Sequence, residues 1–370
     1  MSRETTFHID LTAINDNVQT LKRHIGDRHF MAVVKADAYG HGAVPVAAHI
    51  EKRVDAFAVA FTEEAVALRE KGIRKPILIL EGPHTRGDLD VTVALDLWPV
   101  LHNPDQLEWA YAKAHSLSCV WLKADTGMHR LGFNPDQMTA IRTSFSGRGI
   151  SSVIAMSHLA SAEQPTDPLT LSQQAEWQTT VSDWPDDVSL CNSAASQLGQ
   201  AERCEWARIG YAMYGGQIPG SPVASLLTPA MHFTSAVIAL RQIPQGESVG
   251  YGGRWVAARD SVIATLSAGY GDGYPRSAKS GAPVGINGQI APLAGTVSMD
   301  LLSVDVTDCH NIEVGMPATL WGSQPAVDTV ASYADTIGYE LLTRVTGRPK
   351  RSYYTETHSF PSSSSSAFGE

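Results

Sequence analysis

No apolar run in the 370 residues approaches the roughly 20 needed to span a bilayer. This argues against a helical membrane protein. The first ten residues are polar and lack a secretory apolar core, so a cytoplasmic location is expected. Basic charge is also short: 28 Lys and Arg against 38 Asp and Glu give a formal charge of −10. That balance argues against nucleic acid as the main partner, because phosphate backbones demand basic faces. It leaves room for an anionic cofactor, since one phosphate needs only a local set of backbone amides. Cysteine is sparse. Cys119, Cys191, Cys204 and Cys309 are scattered without a C-x-x-C pair, which reads as reduced, mostly buried thiols. No clustered Cys and His set suggests zinc, and no metal is expected.

What the chain does have is alternation. Short apolar runs at 31–35, 56–61, 77–80, 97–101, 119–123, 153–157, 188–191 and 208–214 are separated by helix-like polar stretches. The stretch 62–72 shows the helix signals: Thr62 as a cap, acidic residues in the first turn, Gly72 at the end. Eight β-α repeats over about 200 residues fit a TIM barrel. An open doubly wound sheet competes, but eight strands favour the barrel. After Pro229 the texture becomes strand-like (236–240, 261–266, 284–286, 302–306, 318–321), broken by Gly, Pro and Asp turns. One late helix is expected around 327–337. The reading is an α/β TIM-barrel domain over 8–230, a mainly β domain over 231–358, and a disordered Ser-rich tail over 359–370.

Reactive groups of a TIM barrel sit at the C-terminal ends of its strands. Those ends carry Lys35, Lys123 with D-T-G-M-H-R (125–130), His158, Asn192 with Ser193, and R-I-G-Y (208–211). Lys35 closes the apolar run M-A-V-V, a place where an ammonium group loses hydration. It is either a salt-bridged structural lysine or an amine kept for chemistry. Lys123 and Asp125, two residues apart, are expected on one strand face. As a set these groups suit an anionic, aromatic cofactor. The run G-Y-G-D-G-Y (269–274) lacks both the lysine and the following helix of a nucleotide-binding loop, and reads as a β-domain turn.

The segments V-V-K-A-D-A-Y-G-H-G, W-L-K-A-D-T-G-M-H-R-L-G-F, S-H-L-A-S-A, N-S-A-A, R-I-G-Y-A-M-Y-G, V-G-Y-G, A-G-Y-G-D-G-Y-P-R and V-S-M-D resemble motifs of the alanine racemases, in family order, over 7–348. The resemblance implies pyridoxal 5′-phosphate as cofactor and racemisation of L- and D-alanine by two bases. Lys35 would hold the cofactor covalently, as an amine that condenses reversibly with an aldehyde. Lys35 would then serve one face of the substrate, and Tyr251 from the second subunit of a homodimer the other. A free tyrosine has a pKa near 10, so Tyr251 would need cationic or hydrogen-bonding support.

Arg208 would meet the ring nitrogen without surrendering a proton, which favours proton exchange over transamination. Tyr39, Ser193, Gly210 and Tyr211 would hold the phosphate, with Asn192 beside them. His158 would lie against the ring, and Arg130 would reach the phenolic oxygen and the substrate. Met299, Asp300 and Tyr270 would line the substrate site, Met299 and Asp300 placing the substrate carboxylate. Lys123 is carbamylated in some relatives. Gly347 falls where some members place a phosphate-reaching tyrosine, which puts phosphate affinity in question. The implied role is D-alanine supply for peptidoglycan, or D-alanine catabolism. Three alternatives stand beside it: another pyridoxal enzyme of this architecture, such as a decarboxylase; a racemase of another small amino acid such as serine; and a non-catalytic pyridoxal-phosphate carrier.

Overall fold

The computed structural model describes residues 3–150, 152–200 and 203–356; the tail at 359–370 lies outside them. The chain forms two compact units. One comprises Asn15–Met213 and Gln217–Leu227, the other Met1–Ile14, Tyr214–Gly216 and Thr228–Glu370. Among the described residues no helix is long and apolar enough to cross a membrane.

The first strand, β1 (Thr6–Asp10), buries Phe7 and Ile9 by the two-residue alternation of a strand. Its segment falls within the stretch expected to open the barrel domain, yet its ladder partners belong to the β unit, as given below.

The α/β unit contains eight parallel strands: β2 (His29–Val33), β3 (Ala56–Val59), β4 (Ile77–Ile79), β5 (Trp98–Leu101), β6 (Cys119–Lys123), β7 (Ser152–Met156), β8 (Val188–Ser189) and β9 (Trp206–Ile209). From β2 to β8 each pairs with the next in sequence, and β9 pairs with β2 on its other side. A doubly wound sheet would reverse strand order partway. This order never reverses, so the sheet curls into a nearly closed barrel. β8 and β9 share no ladder, but the Arg208 amide donates to Cys191 O (2.9 Å) and the Ser189 hydroxyl to Trp206 O (2.7 Å) across the seam.

Near-continuous apolar strands are expected where both faces are covered, and β3, β4, β6 and β9 are buried throughout. Trp98, Trp121 and Trp206 cluster with centroids 5.7–6.3 Å apart, and His29 stacks on Trp206. Trp98, Trp206 and His29 open their strands, so aromatics fill the N-terminal end of the barrel and leave the polar chemistry to the other.

Capping starts the intervening helices. Asn103 accepts from the Gln106 amide ahead of Pro104, and Thr85 and Asp88 form a reciprocal capping box. Thr62 differs from expectation. It is the first helical residue of Thr62–Glu70, and the Glu64 carboxylate instead accepts the Ala60 and Phe61 amides at 2.7 and 3.2 Å. A carboxylate reaching back makes charge-assisted bonds that the hydroxyl would make more weakly.

The β unit is built on β10 (Met231–Ile243), which pairs antiparallel with β1, while β18 (Lys350–Tyr354) lies parallel to β1 on its other side. β11 (Ser248–Val249) and β12 (Trp255–Val256) form a two-stranded ribbon. β13 (Ser261–Leu266), β14 (Pro283–Ile286), β15 (Gln289–Pro292), β16 (Leu302–Asp305) and β17 (Pro317–Trp321) complete the sheet. Phe7, Phe233 and Trp321 form its aromatic centre, with adjacent centroids at 4.4 and 4.7 Å.

Candidate active site

β2 ends at Val33, so Lys35 stands two residues beyond the strand and is half-buried. The chain then does something sequence rules do not foresee. Ala36, Asp37, Ala38 and Tyr39 all have φ between 52° and 54°, a left-handed turn of four residues that are not glycine. Each costs roughly 1–2 kcal/mol. Offsetting bonds run from the Ala36 amide to the Glu64 carboxylate (2.7 Å), from Gly42 N to Asp37 O (2.8 Å) and from Ala43 N to the Asp37 carboxylate (2.8 Å). The strained turn thus anchors the backbone on the C-terminal side of Lys35. Burial lowers the Lys35 pKa, with Arg130 and Arg208 adding to the effect while Glu81 and Glu64 oppose it. The result favours a neutral amine.

Lys123 closes β6, is 7% exposed, and has its pKa pulled down to about 8, chiefly by burial. Asp125 does not share its strand face. It lies in the following turn, where its carboxylate accepts the Gly127 and His129 amides at 3.0 and 2.9 Å. That turn folds back through Phe133 N to Lys123 O (2.8 Å), and any side chain at Gly132 would strike the backbone of 124–125. Arg130 sits on this loop, exposed, and with Lys123, Asp125, Met128, Ser157 and His158 lines a small pocket.

Arg208 lies inside the barrel, 4% exposed. Its guanidinium donates to the carbonyls of Ser189 (3.0 Å), Ser157 (2.7 Å) and Leu190 (3.4 Å), and to the Ser189 hydroxyl. These acceptors are uncharged, so they fix the group without neutralising it. A buried charge needs such full satisfaction to be tolerated. The His158 ring nitrogen Nδ1 lies 3.4 Å from Arg208 Nη2. Burial, and then the cations Arg208, Lys123, Arg130 and Lys35, hold His158 well below its ordinary pKa and therefore neutral.

Beside Arg208, the Gly210 amide donates to Ser193 Oγ at 3.0 Å. Gly210 also abuts Tyr39 so closely that a Cβ would lie 2.5 Å from the Tyr39 hydroxyl. The phenol is buried and its pKa pushed up to about 12, so it remains an O–H donor. Tyr211 follows, 2% exposed, in a short 3-10 turn. Asn192 caps the helix Ser193–Gln197 through the Ala195 amide (3.0 Å), so its carboxamide oxygen orients Ser193. Two hydroxyls and backbone amides gathered where only glycine fits make a donor set suited to a phosphate. Together with the barrel's cations, the residues fit pyridoxal 5′-phosphate.

The remaining expected residues lie in the β unit. Tyr251 begins a 3-10 turn between Gly250 and Gly252, both with φ of 74°, and is 70% exposed, so its ring does not pack into its own unit's core. Its carbonyl accepts from Thr296 Oγ1 at 3.3 Å. Tyr270 and Met299 are 37% and 53% exposed. The Asp300 carboxylate is bonded to Arg348 Nη2 at 2.7 Å. Gly347 is exposed, and a Cβ there would meet nothing within 4 Å.

Three groups escaped the sequence reading: Glu64, Glu81 and Arg348. Glu64 and Glu81 supply the carboxylates facing Lys35. Glu81 follows β4 and thus obeys the strand-end rule, which could have flagged it. Arg348 carried no local signal.

Residues 9–218 match the alanine racemase N-terminal domain family and 230–353 the C-terminal domain family. A curated alanine racemase of Pseudoalteromonas atlantica is 46% identical, covering 96% of this chain and all of its own length. That of Vibrio cholerae is 40% identical over 95% and 99%. The crystal structure of the biosynthetic alanine racemase from Pseudomonas aeruginosa superposes with a TM-score of 0.89 at 40% identity, over 95% of this chain and all of that one. The Acinetobacter baumannii structure gives 0.91 at 33% identity, with the same coverage. With barrel, β unit and strand-end groups in these places, the chain belongs to the alanine racemase family.

Proposed function

We propose that the protein interconverts L- and D-alanine by a two-base mechanism in the cytoplasm, as a homodimer, supplying D-alanine for peptidoglycan or drawing it into catabolism. The observation that carries this reading is the convergence of a fixed, buried Arg208, a half-buried Lys35 of lowered pKa, and the Tyr39–Ser193–Gly210 cradle. Pyridoxal 5′-phosphate, when bound, supplies an aldehyde and an electron-withdrawing ring that acidify the α-hydrogen of an attached amino acid.

Lys35 would anchor the group through Nζ until the amine of the substrate takes its place, which frees Nζ as a base. Tyr39, Ser193, Gly210 and Tyr211 would hold its phosphate, Arg208 would serve its ring nitrogen, and neutral His158 would lie beside the ring. Arg208 keeps its proton at any working pH. Lys35 Nζ moves a proton on one face of the α-carbon, and the hydroxyl of the partner subunit's Tyr251 moves one on the other. The exposure of Tyr251 supports service to another chain. Arg130 orients the substrate from the 125–133 loop. Lys123, partly neutral near pH 8, is a fit acceptor for carbon dioxide.

The test is a purified, cofactor-loaded protein incubated with each enantiomer of alanine and, separately, of serine. Both alanine enantiomers should reach the same racemic mixture, with serine slower. A protein that binds the cofactor without exchanging either amino acid is a carrier, and one that prefers serine is a different racemase. Either result overturns the reading.

A further inference from the structure

The glycine-rich run 269–274 has an unusual packing partner. The Asp272 carboxylate is fully buried and is gripped by Arg3 through two bonds, Nη1 to Oδ2 at 2.9 Å and Nη2 to Oδ1 at 2.6 Å. The same carboxylate accepts the Gly269 amide at 3.0 Å and lies 3.5 Å from Arg348 Nε. Arg348 then extends Nη2 to Asp300. The backbones meet as well: Tyr270 N donates to Ser298 O (3.0 Å) and Gly271 N to Met299 O (2.9 Å). Thr346 Oγ1 donates to Gly271 O at 2.9 Å.

The glycines follow from this crowding. A Cβ on Gly269 would fall 2.3 Å from Ser298 O and 2.4 Å from Met299 O. One on Gly271 would fall 2.1 Å from Arg348 Nη1, and one on Gly273 2.9 Å from Val345 Cα. The run is shaped by a guanidinium and two neighbouring backbones.

We propose that Arg348 is a positioning residue for substrate binding, locking the turn that carries Tyr270 to the turn that carries Met299 and Asp300. Asp300 then acts as Arg348's anchor, and the backbone of 298–300 is the part presented to the substrate. The proposal rests on the function proposed above and on the resemblance, by which Met299 and Asp300 would place the substrate carboxylate.

The experiment compares Arg348→Lys, Asp300→Asn and Gly271→Ala with wild type in the loaded enzyme. Lysine keeps the charge but loses the fork. Alanine at 271 displaces the guanidinium without touching it chemically. Each variant should raise KM for both alanine enantiomers about tenfold, the loss of one charge-assisted bond, with kcat much less changed. Amide exchange at Tyr270 and Gly271 should accelerate in all three. Unchanged KM and unchanged exchange in the variants overturn the proposal, as does lowered melting temperature with normal KM. If wild type itself does not racemise alanine, the functional reading fails. The exchange measurement then decides the Arg348 proposal by itself.

Discussion

Gly210→Ala is a sharp test of the cradle, because the backbone at 210 is not left-handed and alanine brings no conformational strain of its own. The whole effect is contact. The added methyl would lie 2.5 Å from the Tyr39 hydroxyl and 3.0 and 3.3 Å from two ring carbons. Ordinary contact begins near 3.4 Å, so the phenol must retreat by about 1 Å from a site where it is 8% exposed. Overpacking of this size costs about 1–3 kcal/mol. It also withdraws one phosphate donor, which at about 1.5–3 kcal/mol for a bond to a charged group weakens cofactor binding roughly 10- to 100-fold.

The assay titrates apoprotein with pyridoxal 5′-phosphate, following absorbance, with melting temperature measured in parallel. Tyr39→Phe removes the atom at 2.5 Å, so Gly210→Ala and Tyr39→Phe together should cost less than their sum. Wild-type affinity in Gly210→Ala, or strict additivity with Tyr39→Phe, would refute the cradle.

Two further outcomes follow from the charges around the lysines. Glu64→Gln keeps one acceptor for the amides of 36, 60 and 61 but removes a charge that raises the Lys35 pKa. Lys35 acts as a base when neutral, so the Lys35-dependent rise of rate with pH should move to lower pH; an unmoved profile counts against the assignment. Lys123 falls from its ordinary 10.5 to about 8 on folding, a cost of roughly 3 kcal/mol while it is charged. The folded pKa is the lower one, so this penalty is complete below pH 8 and fades toward 10.5. Lys123→Met, in carbon-dioxide-free buffer, should therefore be more stable than wild type near neutral pH and lose that advantage as pH rises. Parallel denaturation curves at every pH would contradict it.

The barrel was legible because its signals are local. Most of the apolar runs are largely buried strands, although the run at 208–214 covers only the end of β9 and then a 3-10 turn, and the strand-end rule led to Lys35, Lys123, His158 and Arg208. Most of the rest depends on partners distant in sequence. Nothing in A-D-A-Y announces a left-handed turn, because alanine and tyrosine avoid it. Among the bonds that offset its strain, the Ala36 amide reaches Glu64, 28 residues away. The barrel domain is expected to open at residue 8, whereas β10 and β18 claim the strand there. Asp125 was placed on a strand by spacing, whereas turn amides claim its carboxylate. Asp300 was expected by motif, but its bond to Arg348 was not, because no periodicity marks where Arg348 lies in the fold.

The central claim is that Lys35 and Tyr251 serve opposite faces of one α-carbon. Its most direct measurement is deuterium incorporation from heavy water at the alanine α-carbon, begun from each enantiomer, in wild type and Tyr251→Phe. Two bases on opposite faces predict that the substitution suppresses exchange from one enantiomer far more than from the other, with Lys35 still serving its own side. Equal residual exchange from both enantiomers would contradict it.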